Sequence, residues 1–252
     1  SRVKGGTGVQ PGAWPGIVSV QATWKNGTWH MCAGVLLSSR WVLTVAHCFA
    51  RFGDIAKWEV VIGATDLTRL GPEAEVRHIL RLLVHQHYVP ATARNDIALL
   101  ELDRPVECSD YIQLGCVPDA SLRISELKSC YIAGWSLTKG KFPNRMCAPR
   151  ATRAPRGHGL AADRVRLQDG SGAGARSSPG WGKEIHPRGE QQPPTAPELS
   201  LLAQGDSGHP LVCKDNRVNY YWLVGMNSWG RGCDRARHPE IYTSVQHFYN
   251  WI

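Results

Sequence analysis

Short runs of β-branched and aromatic residues, separated by Gly, Asn and Ser, recur along this chain, and no segment sustains a helical period. Over residues 17–105 the runs are Ile17–Gln21, Gly34–Leu37, Trp41–Val45, Trp58–Ile62 and Ile97–Leu102. A second β-rich region opens at Cys130–Trp135 and resumes at Pro210–Lys214, Tyr220–Trp229 and Glu240–Val245. Half-buried strands at this spacing can satisfy their backbone and bury one face only as a sandwich or a barrel. The pattern therefore predicts an all-β chain. The last residues, His247–Ile252, read as the start of a closing helix cut short by the end of the sequence.

Size and composition narrow the function classes. A chain of 252 residues with 42% hydrophobic content can bury a sizeable core, as one large all-β domain or two modest ones. No run approaches the roughly 20 apolar residues of a membrane-spanning helix. There is no basic-then-apolar opening, so any signal peptide is expected upstream of this sequence. Basic residues outnumber acidic ones by 29 to 21, a net charge of +8. That excess fits a solvated basic surface or attraction to polyanions such as sulfated glycans, and both readings stay open. Eight cysteines without a single C-x-x-C pair point to disulfides rather than zinc, and so to an oxidising compartment. His85-Gln86-His87 suggests a metal, but no third ligand is evident, so no metal is expected. No Gly-rich loop follows a strand, which leaves nucleotide chemistry and nucleic-acid partners unsupported. Asn26-Gly27-Thr28 is a weak acceptor sequon for N-glycosylation.

One stretch departs from the strand pattern. Of the 54 residues from Cys147 to Ser200, 15 are Gly or Pro, one is aromatic (Trp181) and five are Val, Ile or Leu. Such a segment buries too little apolar surface to offset its chain entropy, and a loop of this length is unusual in a compact domain. It is either a disordered insert or sequence foreign to the fold, such as a misjoined reading frame. No packed layer is expected from it.

Three short segments carry chemistry. Leu43-Thr44-Val45-Ala46-His47-Cys48 puts a histidine at the end of an apolar strand; Asn95-Asp96-Ile97-Ala98-Leu99-Leu100 puts an aspartate at the start of another; Gly205-Asp206-Ser207-Gly208 sets a serine in a glycine-flanked turn. A serine hydroxyl needs an imidazole to take its proton, and the imidazole needs a carboxylate to fix its tautomer. Glycines beside the serine let backbone N–H groups face a developing oxyanion. Each motif alone is weak; the three together in this order are not.

With these residues the chain resembles the trypsin-like serine proteases of the chymotrypsin family. The likeness extends through Arg2-Val3-Lys4-Gly5-Gly6, Ala133-Gly134-Trp135, Ser228-Trp229-Gly230 and Pro239-Glu240-Ile241-Tyr242-Thr243. It covers residues 1–136 and 204–252 and leaves out 141–203. Within the family the resemblance is to the acrosins, through Gly12-Ala13-Trp14-Pro15, Leu36-Leu37-Ser38-Ser39-Arg40-Trp41 and the pair Cys108 and Cys116. It implies one protease domain over 1–252 with two six-stranded antiparallel β-barrels. The first lies at about 17–105; the second, about 122–252, is incomplete. It implies a serine endopeptidase acting through an acyl-enzyme, with His47, Asp96 and Ser207 catalytic and no cofactor. The N–H groups of Gly205 and Ser207 form the oxyanion hole, and Ser228, Trp229 and Gly230 bind the substrate main chain. After cleavage behind Arg2, the new amino group of Val3 pairs with Asp206. Cys32 pairs with Cys48 and Cys130 with Cys213, while Cys108 and Cys116 bond to a separate light chain. Cys147 and Cys233 remain unpaired. The partners are peptide or protein substrates, and the place is outside the cell or a secretory vesicle, the acrosome for an acrosin-like enzyme acting in fertilisation.

Several residues break the family pattern. The aspartate that binds a substrate Arg or Lys is replaced by Leu201, and Ala203 stands in place of the mate of Cys233. Glu240 replaces a glycine lining the same pocket, so a weak, mixed preference for basic and apolar side chains is expected. Lys4 replaces an apolar residue behind Val3. His209 replaces a glycine two residues beyond the serine; it either distorts the turn or sits on the surface. These departures keep a second reading open, a catalytically impaired relative that binds sulfated glycans or proteins through its basic surface.

Overall fold

The structure is a computed structural model, and it describes residues 9–24, 27–50, 57–127, 129–135, 146–147, 165–168, 207–215, 217–218, 220–229 and 240–252. Val3, Lys4, Asn26, Leu201, Gly205, Asp206, Gly230 and Cys233 lie outside the described residues, as does all of Cys147–Ser200 apart from two short strands.

Six strands close a barrel: β1 (Ile17–Trp24), β2 (Gly27–Ser38), β3 (Trp41–Thr44), β4 (Trp58–Ile62), β5 (Glu75–Val84) and β6 (Ala98–Leu102). Their order around the barrel is β1-β2-β3-β6-β5-β4, and every pairing is antiparallel. Closure leaves no unpaired edge. Inward positions carry Val18, Val20, Leu36, Val42, Val60, Ile62, Leu100 and Leu102, all buried, as the period-two pattern requires.

β5 is absent from the sequence reading, and its composition explains why. Arg77, His78 and Arg81 interrupt its apolar run, and of its ten residues only Ile79 is buried. His78 and Arg81 lie on the outer face, whereas Arg77 shares the face of Ile79 and is only 14% exposed. Arg77 pairs with Glu75 and donates to the Pro105 carbonyl; Arg81 pairs with Glu101 at 2.9 Å and lies over the Trp41 ring at 5.5 Å. An exposed ion pair such as Arg81–Glu101 contributes little, so β5 owes its place to the ladders on both sides.

Among the described residues the second half forms an open five-stranded sheet, in keeping with the incomplete second barrel expected. β7 (Ser129–Ile132), β11 (Pro210–Lys214), β12 (Tyr221–Trp229), β13 (Glu240–Ser244) and β10 (Val165–Gln168) run in the order β10-β13-β12-β11-β7. β8 (Gly134–Trp135) and β9 (Met146–Cys147) form a separate two-stranded ladder. Within Cys147–Ser200, where no packed layer is expected, β10 is a strand of four residues. It adds four residues to the sheet's edge, parallel to β13, with Val165 opposite Glu240. Parallel pairing needs only an extended backbone beside a free edge, which poor local propensity does not forbid. The expected closing helix is a single 3-10 turn, Gln246–Phe248.

The two halves share one core. The barrel cluster continues into Val212, Leu223, Met226, Val245 and Phe248, so the sheet packs on the barrel through apolar contact. Both expected disulfides are present. Cys32–Cys48, with an S–S distance of 1.97 Å, ties β2 to the 3-10 turn Ala46–Cys48; Cys130–Cys213 staples directly opposed residues of β7 and β11. Cys108 and Cys116 are free and exposed. Among the described residues no helix is long and apolar enough to cross a membrane.

Candidate active site

His47, Asp96 and Ser207 meet where the barrel faces the open sheet. β3 ends at Thr44, and the chain turns at once into Ala46–Cys48, so His47 leaves the barrel rim with its ring 22% exposed. The Cys32–Cys48 bond and the burial of Ala46 and Cys48 fix that turn. Asp96 stands just ahead of β6 and is wholly buried. Its neighbour Asn95 takes a left-handed φ of 53° and donates from Nδ2 to the His87 carbonyl at 2.8 Å, which sets the approach of the carboxylate. Ser207 opens the turn into β11 and is 7% exposed.

The hydrogen bonds form one chain. Asp96 Oδ2 lies 2.6 Å from His47 Nδ1, and His47 Nε2 lies 2.7 Å from Ser207 Oγ. The other carboxylate oxygen, Oδ1, accepts the His47 backbone N–H at 2.8 Å. Ser228 of β12 donates its hydroxyl to Oδ2, and Thr243 of β13 donates to the Asp96 carbonyl at 3.0 Å. A buried carboxylate is costly unless it is paired and hydrogen-bonded, and this one accepts bonds at both oxygens. With Nδ1–H directed at Asp96, Nε2 is the acceptor for the serine proton.

The serine turn is held by backbone. The Ser207 carbonyl accepts from Ala33 N–H of β2 at 2.8 Å, and Gly208 N–H donates to Asn227 of β12 at 2.8 Å. Gly208 has φ +75°, and a Cβ there would lie 2.2 Å from the Ala33 carbonyl oxygen. Neither the dihedral nor the space admits a side chain. Gly208→Ala is therefore expected to cost about 3 kcal/mol, a fall of roughly 6–12 °C in melting temperature. A thermal scan checks it, and an unchanged midpoint would show that the turn does not need glycine.

His209 does neither of the things its sequence position suggested. It is buried, at 1% exposure, and its ring stacks near that of His30, with centroids 6.2 Å apart. Gly134 makes room: a Cβ there would lie 2.3 Å from the His209 ring. The glycine the family keeps beyond the serine is thus offset by a glycine on β8, and the serine keeps its bond to His47. His30 is itself anchored, its Nδ1 lying 2.7 Å from Ser19 Oγ.

Of the other residues singled out in the sequence, Trp229 and Glu240 are placed by their backbone, at the end of β12 and the start of β13. Ser228 also lies on β12, and its side chain serves Asp96. Thr243 and Asn227 escaped the sequence reading. They are small polar residues on apolar strands and come from a sheet far away in the chain, so no local pattern marks them. Among the described residues no group of three or more His, Cys, Asp or Glu converges as a metal site.

The model of the trypsin family matches residues 3–147 and 195–252. The chain belongs to the trypsin family. The match reaches further than the sequence resemblance did, taking in 137–147 and 195–203, and it passes over 148–194. The trypsin-family chain is also 32% identical over 251 residues to a protein described as transmembrane protease serine 9 from Rattus norvegicus. That alignment takes in 100% of the chain but only 22% of the relative's length.

Proposed function

We propose that this trypsin-family chain hydrolyses peptide bonds through an acyl-enzyme on Ser207. The observation behind the proposal is the unbroken bond chain from Asp96 through His47 to Ser207, at 2.6 and 2.7 Å. Ser207 Oγ attacks the scissile carbonyl carbon while Nε2 of His47 takes its proton. The resulting imidazolium is stabilised by the buried Asp96 carboxylate. His47 then passes the proton to the leaving amine, and water releases the acyl group by the same steps in reverse. Backbone N–H groups of Gly205 and Ser207 hold the oxyanion, and the Ser228–Gly230 backbone pairs with the substrate as an added strand. Val3, freed by cleavage behind Arg2, pairs with Asp206 and completes maturation from a zymogen. None of these steps calls on a cofactor or metal.

The finer reading is an acrosin-like enzyme, exported to a secretory vesicle or the acrosome and acting in fertilisation. Two disulfides support an oxidising compartment. The free, exposed thiols of Cys108 and Cys116 support a disulfide-linked light chain. Leu201 favours a second reading, an impaired relative that binds sulfated glycans or proteins. A fluorophosphonate probe separates the two: the first reading expects stoichiometric labelling of folded protein, the second expects none.

Specificity follows the two altered pocket positions. Leu201 supplies an apolar floor suited to Phe, Tyr or Leu, and Glu240 supplies a carboxylate for Lys or Arg. Glu240→Gly is expected to lower the ratio of Arg to Phe peptide cleavage about fivefold, the factor of one partly solvated ion pair. An unchanged ratio would remove Glu240 from recognition.

A further inference from the structure

We propose that Thr44 is a positioning residue for the nucleophile, setting the place of Ser207 against His47 through the backbone of Ala33. The role rests on the peptidase reading and adds a residue to it. Thr44 closes β3, three residues ahead of His47, and is wholly buried. A buried threonine hydroxyl must find a hydrogen-bond partner. Here Oγ1 donates to the Ala33 carbonyl of β2 at 2.8 Å. The N–H of the same residue, Ala33, donates to the Ser207 carbonyl at 2.8 Å. One residue of β2 thus links the Thr44 hydroxyl to the nucleophile's own backbone.

Gly208 closes against the same pair. A Cβ there would lie 2.2 Å from the Ala33 carbonyl oxygen and 3.1 Å from Thr44 Oγ1. On its other side Gly208 N–H donates to the Asn227 carbonyl at 2.8 Å. The serine turn is therefore enclosed between β12 and the Thr44–Ala33 bond. Ala33 has little slack, because its methyl is buried in a small cluster with Ile17, Ala133 and Trp135. Interiors packed this closely transmit a displacement instead of absorbing it.

Thr44 is also tied to the other two triad segments. Along its own chain, β3 runs into the turn Ala46–Cys48 that carries His47. Across the ladder it opposes Ala98 of β6, two residues beyond Asp96. Its backbone thus belongs with His47 and Asp96, and its hydroxyl reaches toward Ser207. The 2.7 Å bond from His47 Nε2 to Ser207 Oγ joins residues 160 apart in sequence, and the Thr44 hydroxyl gives those two segments a short buried link. Without it the serine turn drifts from the imidazole. Such a drift acts on attack and proton transfer, not on substrate binding, so kcat falls and KM holds.

Two pairs of full-chain proteins separate the hydroxyl from the methyl: the parent against Thr44→Val, and Thr44→Ser against Thr44→Ala. In each pair the member with the hydroxyl is expected to label with a fluorophosphonate about tenfold faster and to show about tenfold higher kcat on a peptide ester at equal KM. That factor lies between about fivefold for one neutral hydrogen bond and about a hundredfold for a 1 Å misplacement. The Ser/Ala pair decides alone if the valine variant does not fold. Native-state hydrogen exchange at the Ala33 amide, which holds the Ser207 carbonyl, is read without any substrate. Relative to the Val35 amide on the same strand, it is expected about tenfold faster wherever the hydroxyl is missing. Equal rates within each pair, rates that follow the methyl, or Ala33 exchange indifferent to the hydroxyl would overturn the proposal. A parent that never labels, with Ala33 exchange still following the hydroxyl, would overturn the peptidase reading and uphold the Thr44 link to the serine turn.

Discussion

Exchange of Ser207 for alanine is expected to abolish fluorophosphonate labelling and to lower kcat on a peptide ester by roughly a millionfold, the loss seen in other Ser-His-Asp enzymes. The structural reason is that every part of the constellation converges on one oxygen. His47 Nε2 lies 2.7 Å from Ser207 Oγ. The turn itself should survive, because its anchors are backbone: the Ser207 carbonyl on Ala33 and the Gly208 N–H on Asn227. The variant should therefore melt within about 1 kcal/mol of the parent, the usual size of one lost hydrogen bond. Mass spectrometry of the labelled peptide checks the site. Labelling that persists in Ser207→Ala, or that never forms on the folded parent, would end the acyl-enzyme reading.

The triad was legible because each member sits in a segment whose local chemistry is restrictive. His47 follows an apolar strand and precedes a bonded cysteine, and Ser207 precedes a glycine that φ +75° makes obligatory. What supports the triad was not legible. Ser228 and Thr243 reach Asp96 across sequence separations of 132 and 147 residues, and on their own strands they look like ordinary polar positions. The strand pattern gave five of the six barrel strands. It missed β5 because its charged residues break the apolar run; Arg77 pairs with Glu75 on the same strand, and Arg81 meets Glu101 only when β6 lies beside it. β10 escaped for a related reason: it is defined by the free edge of β13, not by its own residues. His209 shows the limit of reading one position at a time. Its burial depends on Gly134, which lies on another strand.

Asp96→Asn is the second large loss, expected to lower kcat/KM by roughly 10⁴, as in serine proteases with this triad. The cause can be traced atom by atom. In the parent, Oδ1 accepts the His47 backbone N–H at 2.8 Å, and Oδ2 accepts from both His47 Nδ1 and Ser228 Oγ. Asparagine offers one acceptor oxygen and one NH₂. With its oxygen toward the backbone N–H, the NH₂ faces Nδ1 and must donate to it. That moves the imidazole proton to Nε2, where it blocks acceptance from Ser207. With the amide flipped, the NH₂ opposes the buried backbone N–H, and a donor is left facing a donor at a fully buried position. The first orientation loses the base, and the second keeps it only by leaving two buried donors facing each other. Fold loss and tautomer loss are separable: a variant in the first orientation keeps its melting temperature, and ¹⁵N imidazole shifts report protonated Nε2. Activity within tenfold of the parent, in a variant whose Nε2 carries the proton, would show that the mechanism does not depend on the tautomer that Asp96 sets.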